Sequence, residues 1–341
     1  MGLQNPKTIL VIQIGKIGDM ILTTPLFSEL KKLFPYTILK VLASEINKDI
    51  PVNNKSVDEV IIYKKNIFKD ILLFNKLFRN IEVWIDTKDN YSKTGQILCK
   101  IFKPEFSLGF TFTGKDKLFT GSLNDFVYGN HAVNINLSPV NYFRKSMNKE
   151  LVMPSFNIPA EIQNKYKNII ADNSNKIILI NISAGMESRY LQKEKWIELI
   201  NKINKNSSYN FYIIGMKKDI EDINYILKET KNENSRYIQT LNILETAEVI
   251  RRSDIIITPD TSVVHICSAF NKPVTAIYPD VKWNLNKFKP LSKINEVVIS
   301  KDKNSVGDVS AENIYAAFVK LEKKLLGGNA ESRTRVRKED H

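Results

Sequence analysis

Short, mostly apolar runs rich in β-branched residues recur along this chain, and most give way to a segment with apolar residues at helical spacing. Thr8–Ile14 precedes Asp19–Leu33, which stops before Pro35; Ile177–Ile182 precedes Lys195–Ile203; Asn210–Gly215 precedes Asp219–Leu227. A strand without polar alternation is buried on both faces, as happens when helices cover both sides of a parallel sheet. Ile38–Leu42, Val57–Tyr63 and Val83–Asp86 extend the first series, with an apolar-rich helix over Lys69–Phe78. Ile255–Thr258, Val274–Tyr278 and the helical segments Leu244–Arg251 and Ala311–Leu325 extend the second. Residues 104–150 are less regular, and Pro154, Pro159 and a polar stretch ending at Lys176 separate the two series. A chain of 341 residues exceeds one ordinary core. The pattern predicts an α/β protein of two doubly wound, Rossmann-like domains, 1–160 and 175–326, facing each other across a cleft. Ligands are then expected at the carboxyl ends of strands. Residues 327–341 lack apolar periodicity and are expected to form a disordered tail.

The formal net charge is +13, mostly from lysines spread along the chain. That charge fits a solvated surface, or attraction to an anionic partner such as a phosphorylated sugar or an acidic membrane face. A nucleic-acid partner is disfavoured, because the lysines are dispersed and no aromatic–basic recognition motif is present. Cys99 and Cys267 lie in apolar surroundings without metal-type spacing, and with three histidines (His131, His265, His341) a multi-histidine metal site is not expected. No apolar run reaches the roughly 18–20 residues that span a bilayer. Ile9–Ile14 leads into Gly-Lys-Ile-Gly-Asp rather than a cleavage site. A cytoplasmic protein is expected, with peripheral contact to a membrane as a further expectation.

Three segments are candidates for chemistry. In Ile14-Gly15-Lys16-Ile17-Gly18-Asp19, two glycines permit positive φ and close approach of a ligand. Asp19 either complements the helix dipole or serves as a general base. Neither a Gly-x-Gly-x-x-Gly motif nor an acidic residue closing the second strand supports a dinucleotide site. Gly185 to Arg189 follows the first strand of the second series; Arg189 is either a surface arginine or a guanidinium that neutralises phosphate. Gly215 ends another strand, where backbone can contact a base or simply turn. In Thr258-Pro259-Asp260-Thr261-Ser262, a strand breaks and cap residues open a helix carrying His265, an arrangement that seats phosphate. Alone, His265 beside Val264 and Ile266 reads as structural.

Taken in order, these segments resemble glycosyltransferase family 9, the heptosyltransferases of lipopolysaccharide synthesis. The family's opening pattern, an apolar strand and then Gly-Asp and a proline six residues on, is met by Ile9–Gln13, Gly18-Asp19 and Pro25. Its signature Asp-[Thr/Ser]-Gly-x-x-His-x-x-Ala-Ala is similar to Asp260-Thr261-Ser262-Val-Val-His265-Ile-Cys-Ser-Ala269, and its donor turn to Gly185–Gln192, with Trp196 beyond. The resemblance spans about residues 8–325. It implies a GT-B fold and an inverting, metal-independent transfer with no cofactor. The co-substrate is a nucleotide-diphospho-sugar, ADP-heptose by family, and the acceptor a lipopolysaccharide core or related lipid-linked glycan. Asp19 is then the base, Arg189 replaces the family's lysine at the diphosphate, and Gly185, Gly215, Asp260, Thr261, Ser262 and His265 complete the donor site. Acceptor contacts are expected from Lys16, Lys88, Lys93 and His131.

The chain departs from the family at several points. Ser262 replaces a glycine, Leu191-Gln192 a Trp-Pro, and Pro279-Asp280-Val281 a Gly-Pro-Thr. Asp86-Thr-Lys88-Asp89 stands for Asp-x-Gln-Gly, and the arginine usual after His131 is missing, with Arg144 and Lys145 the nearest cations. These changes touch acceptor and sugar recognition more than the base. Two other functions compete: a nucleotide-sugar epimerase of GT-B-like fold, which needs no acceptor, and a non-catalytic basic binding protein.

Overall fold

The computed structural model describes residues 5–64, 80–90, 93–112, 118–147, 149–170, 175–205, 209–230 and 232–339, with side chains as far as Gly327. The helix expected over Lys69–Phe78 lies outside the described residues. The chain divides into two compact units, 1–157 and 158–341. In the first, β1 (Thr8–Gln13), β2 (Ile38–Ser44), β3 (Glu59–Tyr63), β4 (Val83–Asp86), β5 (Phe106–Gly109) and β6 (Gly121–Ser122) lie in the order β3-β2-β1-β4-β5-β6. In the second, β7 (Ile177–Asn181), β8 (Asn210–Ile214), β9 (Ser235–Tyr237), β10 (Ile255–Pro259), β11 (Val274–Tyr278) and β12 (Asn295–Ile299) lie in the order β12-β11-β10-β7-β8-β9. Every neighbouring pair is parallel. Counted from its own first strand, each unit therefore has the strand order of the dinucleotide-binding fold.

Parallel neighbours need crossovers, and helices supply most of them. The first unit carries α1 (Ile17–Leu33), α2 (Asp49–Val52), α3 (Lys93–Phe102), α4 (Ala132–Asn136) and α5 (Ser138–Arg144). The second carries α6 (Ala160–Ile169), α7 (Lys193–Asn204), α8 (Ile220–Thr230), α9 (Ile243–Arg252), α10 (Ser262–Ala269), α11 (Lys282–Phe288) and α12 (Ala311–Glu339). Every residue of β1, β7, β10 and β11 is buried, which is why these strands read as mostly apolar runs without strict alternation. In the second unit Ile178, Ile180, Phe211 and Ile213 share a core with the α7 stripe Trp196, Leu199, Ile200 and Ile203 and with Ile314, Phe318 and Leu321 of α12. In the first, Leu10, Ile12 and Trp84 pack with Leu98 and Cys99 of α3. Each such side chain contributes about 1.5–3 kcal/mol when fully buried.

α1 opens at Ile17, two residues before its expected start, so Asp19 occupies its third position. Pro25 lies inside this helix and has no N–H to offer the Ile21 carbonyl. The Thr24 hydroxyl takes that carbonyl instead at 2.7 Å, and accepts the Ser155 N–H at 2.8 Å. The helix after the second proline, α6, packs in the second unit: Lys165 pairs with Glu245 at 2.6 Å, and Arg252 donates to the Gln163 carbonyl at 3.1 Å.

Several elements escape the sequence pattern. The stretch 104–150 holds β5, β6, α4 and α5. β9 and β12 are edge strands, only partly buried and partly polar, and α3 carries Gly95 in its first turn. α12 continues past the expected Ala311–Leu325 span to Glu339, within the segment 327–341 expected as a tail. No helix among the described residues is long and apolar enough to cross a membrane.

Candidate active site

In open parallel sheets, ligands bind beyond the carboxyl ends of the strands where the winding reverses. Those points lie between β1 and β4 in the first unit and between β7 and β10 in the second. Both places are occupied by the segments singled out from sequence.

At the first point, β1 runs into Gly15 and then into α1. Asp19 is half-buried, and its Oδ2 accepts the Lys16 N–H at 3.2 Å, so it meets one of the amides that a helix start leaves unpaired. Among the described residues no cation pairs with it. Neither Gly15 nor Gly18 adopts positive φ. Space, not dihedral freedom, explains Gly15: a Cβ there falls 2.8 Å from Gln13 Oε1 and 2.9 Å from Asp19 Oδ2. Lys16 is exposed, and Lys88 is half-buried just after β4, its N–H donating to Asp86 Oδ1 at 3.0 Å. Burial pushes the Asp86 carboxyl up to about 6, against the opposing pull of that hydrogen bond. His131 is buried and caps α4, Nδ1 accepting the Val133 N–H at 3.2 Å. Lys93 opens α3, and its side chain lies outside the described residues.

At the second point, β10 ends in Pro259 and Thr261 caps α10, its hydroxyl oxygen accepting the Val263 N–H at 3.3 Å. Arg189 reaches across from the turn after β7. Its Nη1 donates to the Asp260 carbonyl at 3.0 Å and lies 3.1 Å from Asp260 Oδ2. Asn284 of α11 donates to that same oxygen at 2.7 Å. Asp260 is buried, while Arg189 keeps 23% of its side chain exposed. The carboxylate thus holds one edge of the guanidinium and leaves the rest for an anion. Beside it, Asn181 at the end of β7 donates to Thr258 Oγ1 at 2.9 Å and to the Ser183 carbonyl at 3.0 Å. Ser183 hydrogen bonds buried Asp219, which also accepts the Met216 N–H at 3.2 Å, so the turns after β7 and β8 are tied together. Gly215 lies in that knot, where a Cβ would meet Ile223 Cδ1 at 2.9 Å and Ser183 Oγ at 3.0 Å.

The structure gathers Arg189, Asp260, Thr261 and Ser262 around one strand end. His265 is buried one turn further, its ring centroid 6.0 Å from that of Phe288. Gly185 is exposed, with open space where a Cβ would stand. Asn181, Ser183, Asp219 and Asn284 were missed from sequence. Asn181 and Asn284 are amides with no motif of their own, and Ser183 and Asp219 meet only through adjacency of β7 and β8. The described residues contain no group of three or more His, Cys, Asp or Glu able to hold a metal ion.

A strand-end arginine braced by a carboxylate, above a capped helix start, suits a diphosphate. A candidate lipopolysaccharide heptosyltransferase 4 of Escherichia coli K12 is 23% identical over 317 residues, 87% of this chain and 84% of that protein. The crystal structure of a family 9 glycosyl transferase from Veillonella parvula superposes with a TM-score of 0.77 at 17% identity, covering 93% of this chain and 98% of that one. The E. coli ADP-heptose lipopolysaccharide heptosyltransferase II follows with a TM-score of 0.74 at 19% identity, covering 92% and 98%. Both share the two-sheet, GT-B-like fold. The family model described as glycosyltransferase family 9 (heptosyltransferase) matches residues 118–317, which include the whole strand-end site of the second unit. The chain therefore belongs to glycosyltransferase family 9 and is a glycosyltransferase.

Proposed function

We propose that this enzyme moves a heptose from ADP-heptose onto a lipopolysaccharide-core or related glycan acceptor, inverting the anomeric centre without a metal ion. Arg189, aimed by Asp260 and Asn284, is the observation that carries the proposal. The donor diphosphate lies against its free edge and the first-turn amides of α10, with Thr261 and Ser262 alongside. Gly215 and the Met216 amide bound the base, and His265 supports α10 from within. In one displacement, the acceptor oxygen attacks the anomeric carbon as Asp19 takes its proton, and the bond to the diphosphate breaks. Arg189 balances the charge that gathers on the departing ADP. Lys16, Lys88 and Lys93 offer cations to a phosphorylated acceptor, and the overall positive charge favours an anionic membrane surface, at the inner face of the inner membrane.

The test is a donor screen by thermal shift, then turnover with the best nucleotide sugar in the presence of EDTA, with and without truncated core acceptor. ADP release that depends on acceptor, persists in EDTA and yields inverted product is expected. Acceptor-independent conversion of the sugar would instead establish an epimerase.

A further inference from the structure

Beneath the Gly15–Asp19 turn lies a closed set of buried polar side chains drawn from four separate parts of the first unit. Gln13 ends β1, Thr23 faces inward from α1, Thr87 follows β4, and Asn136 ends α4; all four are buried. Gln13 Nε2 donates to Thr23 Oγ1 and to Thr87 Oγ1, each at 3.0 Å, while its Oε1 accepts the Gly15 N–H at 3.2 Å. Asn136 Nδ2 donates to Thr23 Oγ1 at 3.1 Å and to the Leu22 carbonyl at 3.0 Å. With two amide nitrogens donating to its oxygen, the Thr23 hydroxyl has one outlet for its own proton. That outlet is the Asp19 carbonyl, 2.7 Å away. Asn47, fully buried, donates to the Gly15 carbonyl at 3.1 Å. The turn is therefore pinned at the Gly15 N–H, the Gly15 carbonyl and the Asp19 carbonyl.

An apolar filling would serve stability at this place as well or better; a fully satisfied polar network instead fixes one geometry. We propose that Gln13, Thr23 and Asn136 are positioning residues that hold the Asp19 carboxylate in its working orientation. This rests on the assignment of Asp19 as the base. Thr23 touches no substrate in this scheme; it acts through the backbone of Asp19. A displacement of about 1 Å at a reacting group costs up to about 100-fold in rate.

The test compares Thr23→Val, which keeps the shape and removes the hydroxyl, with Thr23→Ser, which restores it, and with Asp19→Asn. Gln13→Met is a second probe should Thr23→Val fail to fold. Each is assayed for kcat and KM with ADP-heptose and truncated core acceptor, for ADP affinity by calorimetry, and for melting temperature. Thr23→Val is expected to lower kcat by about 10- to 100-fold while donor KM and ADP affinity stay within about twofold, and Thr23→Ser to recover wild-type kcat within about threefold. Wild-type kcat in Thr23→Val, beside an inactive Asp19→Asn, overturns the positioning role alone. A loss that Thr23→Ser shares, or a parallel loss of ADP affinity, overturns it too. Wild-type turnover in Asp19→Asn overturns the base assignment and the positioning role with it.

Discussion

Arg189→Ala separates what the guanidinium does for the fold from what it does for the donor. In the protein its Nη1 sits 3.1 Å from a carboxylate that is only 4% exposed. Removing one partner of a buried pair typically costs about 3–5 kcal/mol, because the other charge is stranded. Asn284 still donates to Asp260 Oδ2, which places the loss near the lower end, about 3 kcal/mol. The donor loses one or two charge-assisted hydrogen bonds, about 1.5–3 kcal/mol, or roughly 10- to 150-fold in ADP affinity. Asp260→Asn on top of Arg189→Ala removes the stranded charge. The double variant should regain most of the stability and none of the affinity. Urea unfolding at pH 7.5 reads the first quantity, and titration calorimetry with ADP reads the second. If Arg189→Ala binds ADP within about twofold of wild type, the guanidinium is structural only and the donor site lies elsewhere.

Asp19→Ala should abolish transfer while ADP binds as in wild type, and near-normal turnover would remove Asp19 from the chemistry. Asp86 carries a pH signature. Its carboxyl is raised from 3.8 to about 6 by burial, so the folded state holds the proton more tightly than the unfolded one. Its cost is absent below the unfolded value, grows as pH rises through the window between the two, and is complete above it. A rise of that size corresponds to about 3 kcal/mol. Asp86→Asn keeps an acceptor for the Lys88 N–H and should raise the urea midpoint at pH 8 but not at pH 4; identical curves at pH 8 would refute this. Thr24→Val strands the Ile21 carbonyl beside Pro25 and the Ser155 N–H, and should lower stability by about 1–3 kcal/mol in the same unfolding assay.

How much was legible depended on whether the determining contacts were local. Strands buried on both faces announce themselves by composition, so β1, β4, β7, β8, β10 and β11 were found within a residue or two. Edge strands such as β9, with Ser235-Arg236-Tyr237, owe their state to a neighbour rather than to their own residues. Thr261 as a cap and Arg189 as a cation were visible as residue types. That Asp260 grips Arg189 was not, since 71 positions separate them and only the β7–β10 pairing brings them together. Ser183 and Asp219, 36 apart, follow the same logic through β7 and β8. At Gly15 positive φ is not what calls for glycine: its backbone is ordinary, and a side chain there would crowd two oxygens. His131 was expected at the acceptor because it matches a family histidine; its Nδ1 also caps α4, a role that only the fold reveals.

Both units wind their strands in one order, so each gathers the turns at its strand ends on a single rim, with the sheet below. On the proposed donor seat, a protein engineer seeking a new preference would rewrite the turns at 182–190, 215–219, 259–262 and 279–284. The strands beneath them, shielded on both sides, would carry the exchanged turns without being redesigned.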